Sequence, residues 1–183
     1  GSALADGIDW AWESFPEYLD ALDNKARALD VVAQIPHGAL RTYVMGQANN
    51  LNAPATAEQI QQMAALTQQA IEAGAFAFST NRIAMHTSTD GESVPGTFAE
   101  KEEVLAIIKA MQDGGANLLQ VVPEGLMGEN PTAFQAEVQL YKELSLETGC
   151  SIVFTLSQNN VQTTLWKDML EEISQANKAG AKL

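Results

Sequence analysis

Six side chains in this 183-residue sequence could do chemistry on a small polar molecule, and each sits within or after an apolar run. His37 and Arg41 lie in Pro36-His37-Gly38-Ala39-Leu40-Arg41, Arg82 and His86 follow Thr80-Asn81, Gln120 sits in the run 118–122, and Gln158 opens Gln158-Asn159-Asn160. Arg41 could hold a substrate carboxylate with its two-pronged fork, although an arginine in a loop also commonly ties that loop to a carbonyl or an acid. His37, beside Gly38, could contact substrate or cap the short turn from Gly38 to Tyr43. Arg82 and His86 share a long loop, where function concentrates, with the ordinary turn signal Asp90-Gly91. All six are read as substrate-binding candidates, and no catalytic or metal-ligating residue is assigned.

The elements that must position them are legible. Four apolar runs read as strands, Ala28 to Ile35, Ala75 to Ser79, Leu118 to Val122 and Ser151 to Leu156. Each is followed by a polar loop and an amphipathic helix that closes on glycine, at Gly74, Gly114-Gly115, Gly149 and Gly180. Thr56 with Gln59, Thr97 with Glu100 and Thr132 with Gln135 fit the capping box, predicting three helix starts. Ile60, Met63, Ala64, Thr67, Ala70 and Ile71 recur at helical spacing, as do Val104, Ile107, Ile108 and Met111. Glu100, Glu102 and Glu103 read as a solvated first helical turn. Met45, Met63, Met111 and Met169 read as core. A shorter helix, Ser14 to about Asn24, precedes the first strand, with Pro16 in its first turn.

Alternating strand and helix predict a parallel α/β sheet. The tail Ala179-Gly180-Ala181-Lys182-Leu183 repeats the glycine-then-strand junction. The expected architecture is therefore a single α/β domain over 1–183, four consecutive βα units of a TIM-barrel-like (βα)8 fold, a half barrel. An open flavodoxin-like parallel sheet is the alternative. In either case chemistry belongs at the C-terminal ends of the strands, where the loops are long and where both histidines fall.

Composition narrows the partners. With 46% hydrophobic and 18% charged residues the chain is an ordinary folded one, and a formal charge of −13 without a Lys/Arg cluster disfavours nucleic acid and anionic membranes. Cys150 is the sole cysteine, so it forms no internal disulfide and no thiolate metal site by itself; a reducing cytoplasm fits. No apolar stretch reaches the length of a membrane span. Gly1-Ser2 reads as a cloning scar.

The segments PHGALRTYVMG (Pro36 to Gly46), ATAEQIQQMAALTQQAIEAGAFAFST (Ala55 to Thr80), MHTSTDGESVPGTFAEKEEVLAI (Met85 to Ile107) and LETGCSIVFTLSQ (Leu146 to Gln158), with the opening Trp10 to Leu19, resemble the D-aminoacylase, or N-acyl-D-amino-acid deacylase, branch of the amidohydrolase superfamily. The resemblance implies a metal-dependent (βα)8 barrel acting on linear amide C–N bonds, of which this chain would be strands three to six. It also implies that the family's His-x-His pair, on the first strand, and its catalytic Asp, on the eighth, lie outside this chain. Where the family keeps histidines at the ends of strands five and six, this sequence reads Leu119-Gln120-Val121-Val122-Pro123 and Val153-Phe154-Thr155-Leu156-Ser157-Gln158. Gln and Thr oxygens are poor zinc ligands, so zinc is expected for the family but no cofactor for this chain. His37 matches a family histidine after strand three that is not among the metal ligands.

The expected function is that of an amidohydrolase-like fragment, inactive alone on small-molecule amides; a non-catalytic binding or assembly half barrel is the alternative. Free strand edges and one uncovered sheet face predict a homodimer.

Overall fold

The computed structural model describes residues 9–46, 50–88 and 90–183, with only the backbone of Pro131; Gly1-Ser2 lies outside the described residues. Along the chain run α1 (Phe15–Asp23), β1 (Gln34–Pro36), α2 (His37–Met45), α3 (Ala57–Glu72), β2 (Ala77–Asn81), α4 (Lys101–Asp113), β3 (Leu118–Val122), α5 (Pro131–Thr148), β4 (Ser151–Phe154) and α6 (Leu165–Lys178).

The strands are all parallel and pair in chain order, β1-β2-β3-β4. A flavodoxin-like sheet would reverse direction after its first strand, giving the order 2-1-3-4. Unreversed order is that of a barrel arc. Because right-handed crossovers then fall on one side, one sheet face is packed with helices and the other is not.

The register makes the two faces explicit. Ile35, Phe78, Leu119 and Ile152 align across the four strands and are each 3% exposed or less, packed with Met63, Ile71, Ile107, Ile108, Met111 and Leu144 from the helices. The next row, Pro36, Ser79, Gln120 and Val153, points to the other face, where Gln120 and Val153 are exposed. Truncating a side chain such as Leu119 in the first row would cost about 2–5 kcal/mol through lost transfer energy and an unfilled cavity.

Three helices end in the same two-bond motif, and it fixes where the following strand begins. At the end of α3, Gly74, with φ +118°, donates to Ile71 O and Ala75 donates to Ala70 O. Ala75 is thereby still helix closure, and the ladder starts only at Phe76, whose amide bonds Ala33 O. The second strand thus runs two residues later than the apolar run suggested. Ala116 and Ala181 repeat the bond, to Met111 O and Ala176 O. After the last closure Lys182 lies beside β4, since Ile152 donates to Lys182 O at 2.8 Å and Lys182 N donates to the buried Ser145 hydroxyl at 2.8 Å.

Two other expectations shift. The first strand is three residues long, not eight: Ala28 to Ala33 carries no strand, and Leu29, Val31 and Val32 are exposed. Those residues have no described neighbour to pair with beyond the edge that β2 covers. Of the three capping boxes, Thr56–Gln59 forms with both reciprocal bonds. α4 begins instead after Glu100, because the Thr97 hydroxyl bonds Val94 O and Asn81, and α5 is capped by Asn130, whose side chain accepts from Ala133 N. A further box, Ser14–Glu17, starts α1. The four methionines are buried as expected.

Candidate functional site

Two buried ion-pair networks tie the loops at the C-terminal ends of the strands, and a cleft lies beside them. The first network begins at α2, which rises directly from β1, so that His37 faces β2 and α4. His37 Nε2 lies 2.7 Å from Glu103 Oε1, and Nδ1 lies 2.8 Å from Thr80 Oγ1. The carboxylate can only accept, so Nε2 carries the proton and Nδ1 accepts from the Thr80 hydroxyl. Arg41 Nη1 donates to both Glu103 oxygens, while Nε and Nη2 donate to Leu51 O and Ala53 O. His37, Arg41 and Glu103 are each 1% exposed.

Glu103 is therefore a correction to the solvated first turn expected from the sequence. It lies four residues before Ile107, on the apolar stripe of α4, and turns inward with it. That offset is the signal that could have found it. Burial holds His37 below the ordinary imidazole range, against the upward pull of Glu103. For Glu103, burial pushes upward, but the hydrogen bond and charge contacts with His37 and Arg41 leave it below the usual carboxylate range.

The second network joins the β2–α4 loop to α5. Arg82 Nε lies 2.8 Å from both Glu137 oxygens, and Nη1 donates to Ala99 O at 2.9 Å. Tyr141 OH donates to the same carboxylate, and burial followed by the Glu137 charge pushes the phenol well above its ordinary value. Glu137 and Tyr141, spaced i and i+4, were not singled out from sequence, although they share the inward face of α5 with Phe134 and Val138.

A cleft of about 690 Å³ opens at the ends of β1, β2 and β3. Ser79, Asn81, His86, Gln120 and Tyr43 supply its polar groups, with His37 at its wall and Pro36, Val94, Pro95 and Val122 as apolar lining. The β2–α4 loop closes one side: Gly96, with φ +94°, sits so near the His37 ring that a Cβ would fall 2.8 Å from Nδ1. Asn52 braces that loop by donating to Ser93 O and accepting from Gly96 N. Inside the cleft, Asn81 Nδ2 donates to Ile83 O and Thr97 Oγ1, and Asn81 Oδ1 lies 2.6 Å from His86 Nδ1.

Of the six candidates, His37, His86 and Gln120 thus border one cleft. Arg41 and Arg82 are held in the two networks behind it, and Gln158 lies exposed in the irregular segment after β4, away from the cleft lining. Among the described residues, no group of three or more His, Cys, Asp or Glu side chains converges to hold a metal ion. Nor is any described helix long and apolar enough to cross a membrane.

The solved structures that resemble this fold are barrels. An N-acyl-D-glutamate deacylase from Bordetella bronchiseptica, complexed with zinc and a phosphonate inhibitor, superposes with a TM-score of 0.73 at 23% identity, over 92% of this chain and 32% of that one. A crystal structure of D-aminoacylase gives the same TM-score and coverage at 22% identity. In sequence, a D-aminoacylase of Alcaligenes xylosoxydans xylosoxydans is 29% identical over 112 residues, which is 61% of this chain and 21% of that protein. The chain accordingly spans about a third or less of the length of these relatives. The sequence model of the Amidohydrolase family matches residues 4–181, and on that match the chain belongs to the amidohydrolase family, its likeness lying with part of the D-aminoacylases.

Proposed function

We propose that this chain is the middle of a barrel hydrolase that acts on the linear amide bond of N-acyl D-amino acids or related amides, and that it does not turn over such substrates by itself. The observation that carries this reading is the cleft at the C-terminal ends of three consecutive parallel strands, lined by Ser79, Asn81, His86 and Gln120. It lies where barrel enzymes build their sites. The zinc found in the Bordetella deacylase does not fit the residues present here. Both nitrogens of His37 are engaged, His86 offers one free nitrogen, and Gln120 offers only a carboxamide.

The deciding experiment is an assay of N-acetyl D-amino acid hydrolysis by the purified chain, with and without added zinc. No turnover is expected in either case. A metal-dependent rate abolished by Gln120→Leu would overturn the reading.

A second reading, a non-catalytic binding or assembly half barrel, is favoured by the uncovered sheet face that carries Gln120 and Val153. On either reading we propose a homodimer joined through the free edge at β1 and the uncovered sheet face, supported by exposed Val31 and Val32 just before β1 and exposed Val153 on that face. A reducing, cytoplasmic setting is supported by the single unpaired, buried Cys150.

A further inference from the structure

A second pocket, of about 360 Å³, lies between α1, α2, α3 and β1. That is large enough for a small molecule. Trp10, Trp12, Phe15, Tyr18 and Tyr43 supply its rings, and the buried Leu40 and Ala70 complete its apolar lining. Four of the rings form a chain: the centroids of Trp10 and Trp12 are 5.6 Å apart at 44°, those of Trp12 and Tyr18 5.3 Å at 50°, and those of Phe15 and Tyr18 5.5 Å at 64°. Tilted neighbours leave ring faces open to a third party. Local sequence builds this wall, because the Ser14–Glu17 box starts α1 with Phe15 and Tyr18 three residues apart on one side of it, and Trp10 and Trp12 lie just ahead of the cap. The rings are within reach of solvent, Trp10 being 62% and Tyr43 57% exposed.

The charge in the lining has one sign. Glu13 lines the pocket, no lysine or arginine does, and the Glu13 carboxylate bonds no described group. Glu17, by contrast, is committed to the Glu13 and Ser14 amides, and Asp23 to Arg27. An anion would therefore meet only a like charge, and a neutral apolar molecule would gain burial alone. A quaternary ammonium gains burial of its methyl groups, attraction to the ring faces and attraction to Glu13. A primary ammonium is compact and strongly hydrated, so it gives up more water for the same rings.

We infer that this pocket is a binding site for a quaternary ammonium ligand of the choline type, with Trp12 and Tyr18 as ring walls and Glu13 as the counter-ion. The pocket adjoins the polar cleft through Pro36, Ala39 and Tyr43, but the inference does not rest on the hydrolase reading.

The test is titration of the 15N-labelled 183-residue chain with choline and with 3,3-dimethylbutanol, the uncharged isostere in which carbon replaces nitrogen. Three tryptophans provide an internal control. The indole N–H signals of Trp10 and Trp12 should move with choline, whereas that of Trp166, on α6 and bonded to Thr163 O, should stay. The isostere should bind about tenfold more weakly. Glu13→Gln, at an exposed position, should weaken choline about threefold while isostere binding and thermal unfolding stay unchanged. Trp12→Leu should weaken choline about tenfold, and Glu13→Gln, which keeps every ring, decides the matter if Trp12→Leu fails to fold. Equal binding of the two probes, unmoved Trp10 and Trp12 signals, an equal shift at Trp166, or full choline binding by Glu13→Gln would each overturn the inference.

Discussion

Arg41 and Glu103 meet through a single guanidinium nitrogen: Nη1 donates to both carboxylate oxygens, at 2.9 and 2.8 Å, inside a core where both residues are 1% exposed. The remaining nitrogens are thereby left for the carbonyls of Leu51 and Ala53, so one side chain joins α2, α4 and the segment before α3. The pair is also what keeps His37 in place, since Glu103 Oε1 accepts from both.

Removing one partner from such a pair leaves a buried charge uncompensated. Glu103→Gln should therefore destabilise the fold by about 3–5 kcal/mol in urea unfolding. The double variant Arg41→Met/Glu103→Leu should lose much less, because it strands no charge. A loss below about 1 kcal/mol for Glu103→Gln would contradict the network described here.

Acid should weaken the fold in two stages. The folded pKa of His37 lies below its unfolded value, near 6.5, so the unfolded chain binds more protons and stability rises with pH. That contribution is complete above about pH 6.5 and is lost as pH falls toward the folded value. Glu103, also lowered, adds a second loss below its ordinary value of about 4.5. Urea midpoints should fall between about pH 7.5 and 5.5, and His37→Gln should flatten that interval. A wild-type midpoint constant over that range would rule out the first stage.

Gly96 combines a backbone φ of +94° with contact against the His37 ring. Gly96→Ala meets both obstacles and should cost about 1–3 kcal/mol in thermal or urea unfolding. The same change at Gly46, where a Cβ would meet nothing within 4 Å but φ is +58°, isolates the backbone part and should cost less. Equal losses at the two positions would remove the steric argument for the loop over His37.

Burial pushes the Cys150 thiol up to about 11, with only partial relief from the Leu119 backbone and Lys182. The thiolate is the reactive form, so a disulfide reagent at neutral pH should label the native chain far more slowly than the urea-unfolded one. Comparable rates would mean that the β4 end is open to solvent.

Sedimentation equilibrium at micromolar concentration should give twice the 19.6 kDa chain mass. The exposed Val153 on the sheet face, with Val31 and Val32 before β1, is the surface such an association would cover. Val153→Lys should shift the equilibrium to monomer. A wild-type monomer at that concentration would exclude the dimer.

The sequence by itself determined the order of elements and the parallel sheet, because the signals are local. Apolar stripes at helical spacing in Ile60 to Ile71 and Val104 to Met111, with glycine closures at Gly74, Gly115, Gly149 and Gly180, are written within one or two turns of chain. The β3 boundaries, Leu118–Val122, were legible for the same reason. It also placed His37, His86 and Gln120 near one end of the sheet, since strand ends follow from strand starts. Strand order was decided only in three dimensions, because pairing joins residues such as Ser79 and Gln120 that no local pattern connects. The same holds for the charges. Glu103 reads as solvent-facing next to Glu102, and only the fold, which brings the His37 and Arg41 side chains of α2 onto it from sixty-six and sixty-two residues away, makes its burial possible. Thr97 forfeited its capping role because Asn81 and Val94 compete for its hydroxyl, and that competition exists only once the loop has folded over β2.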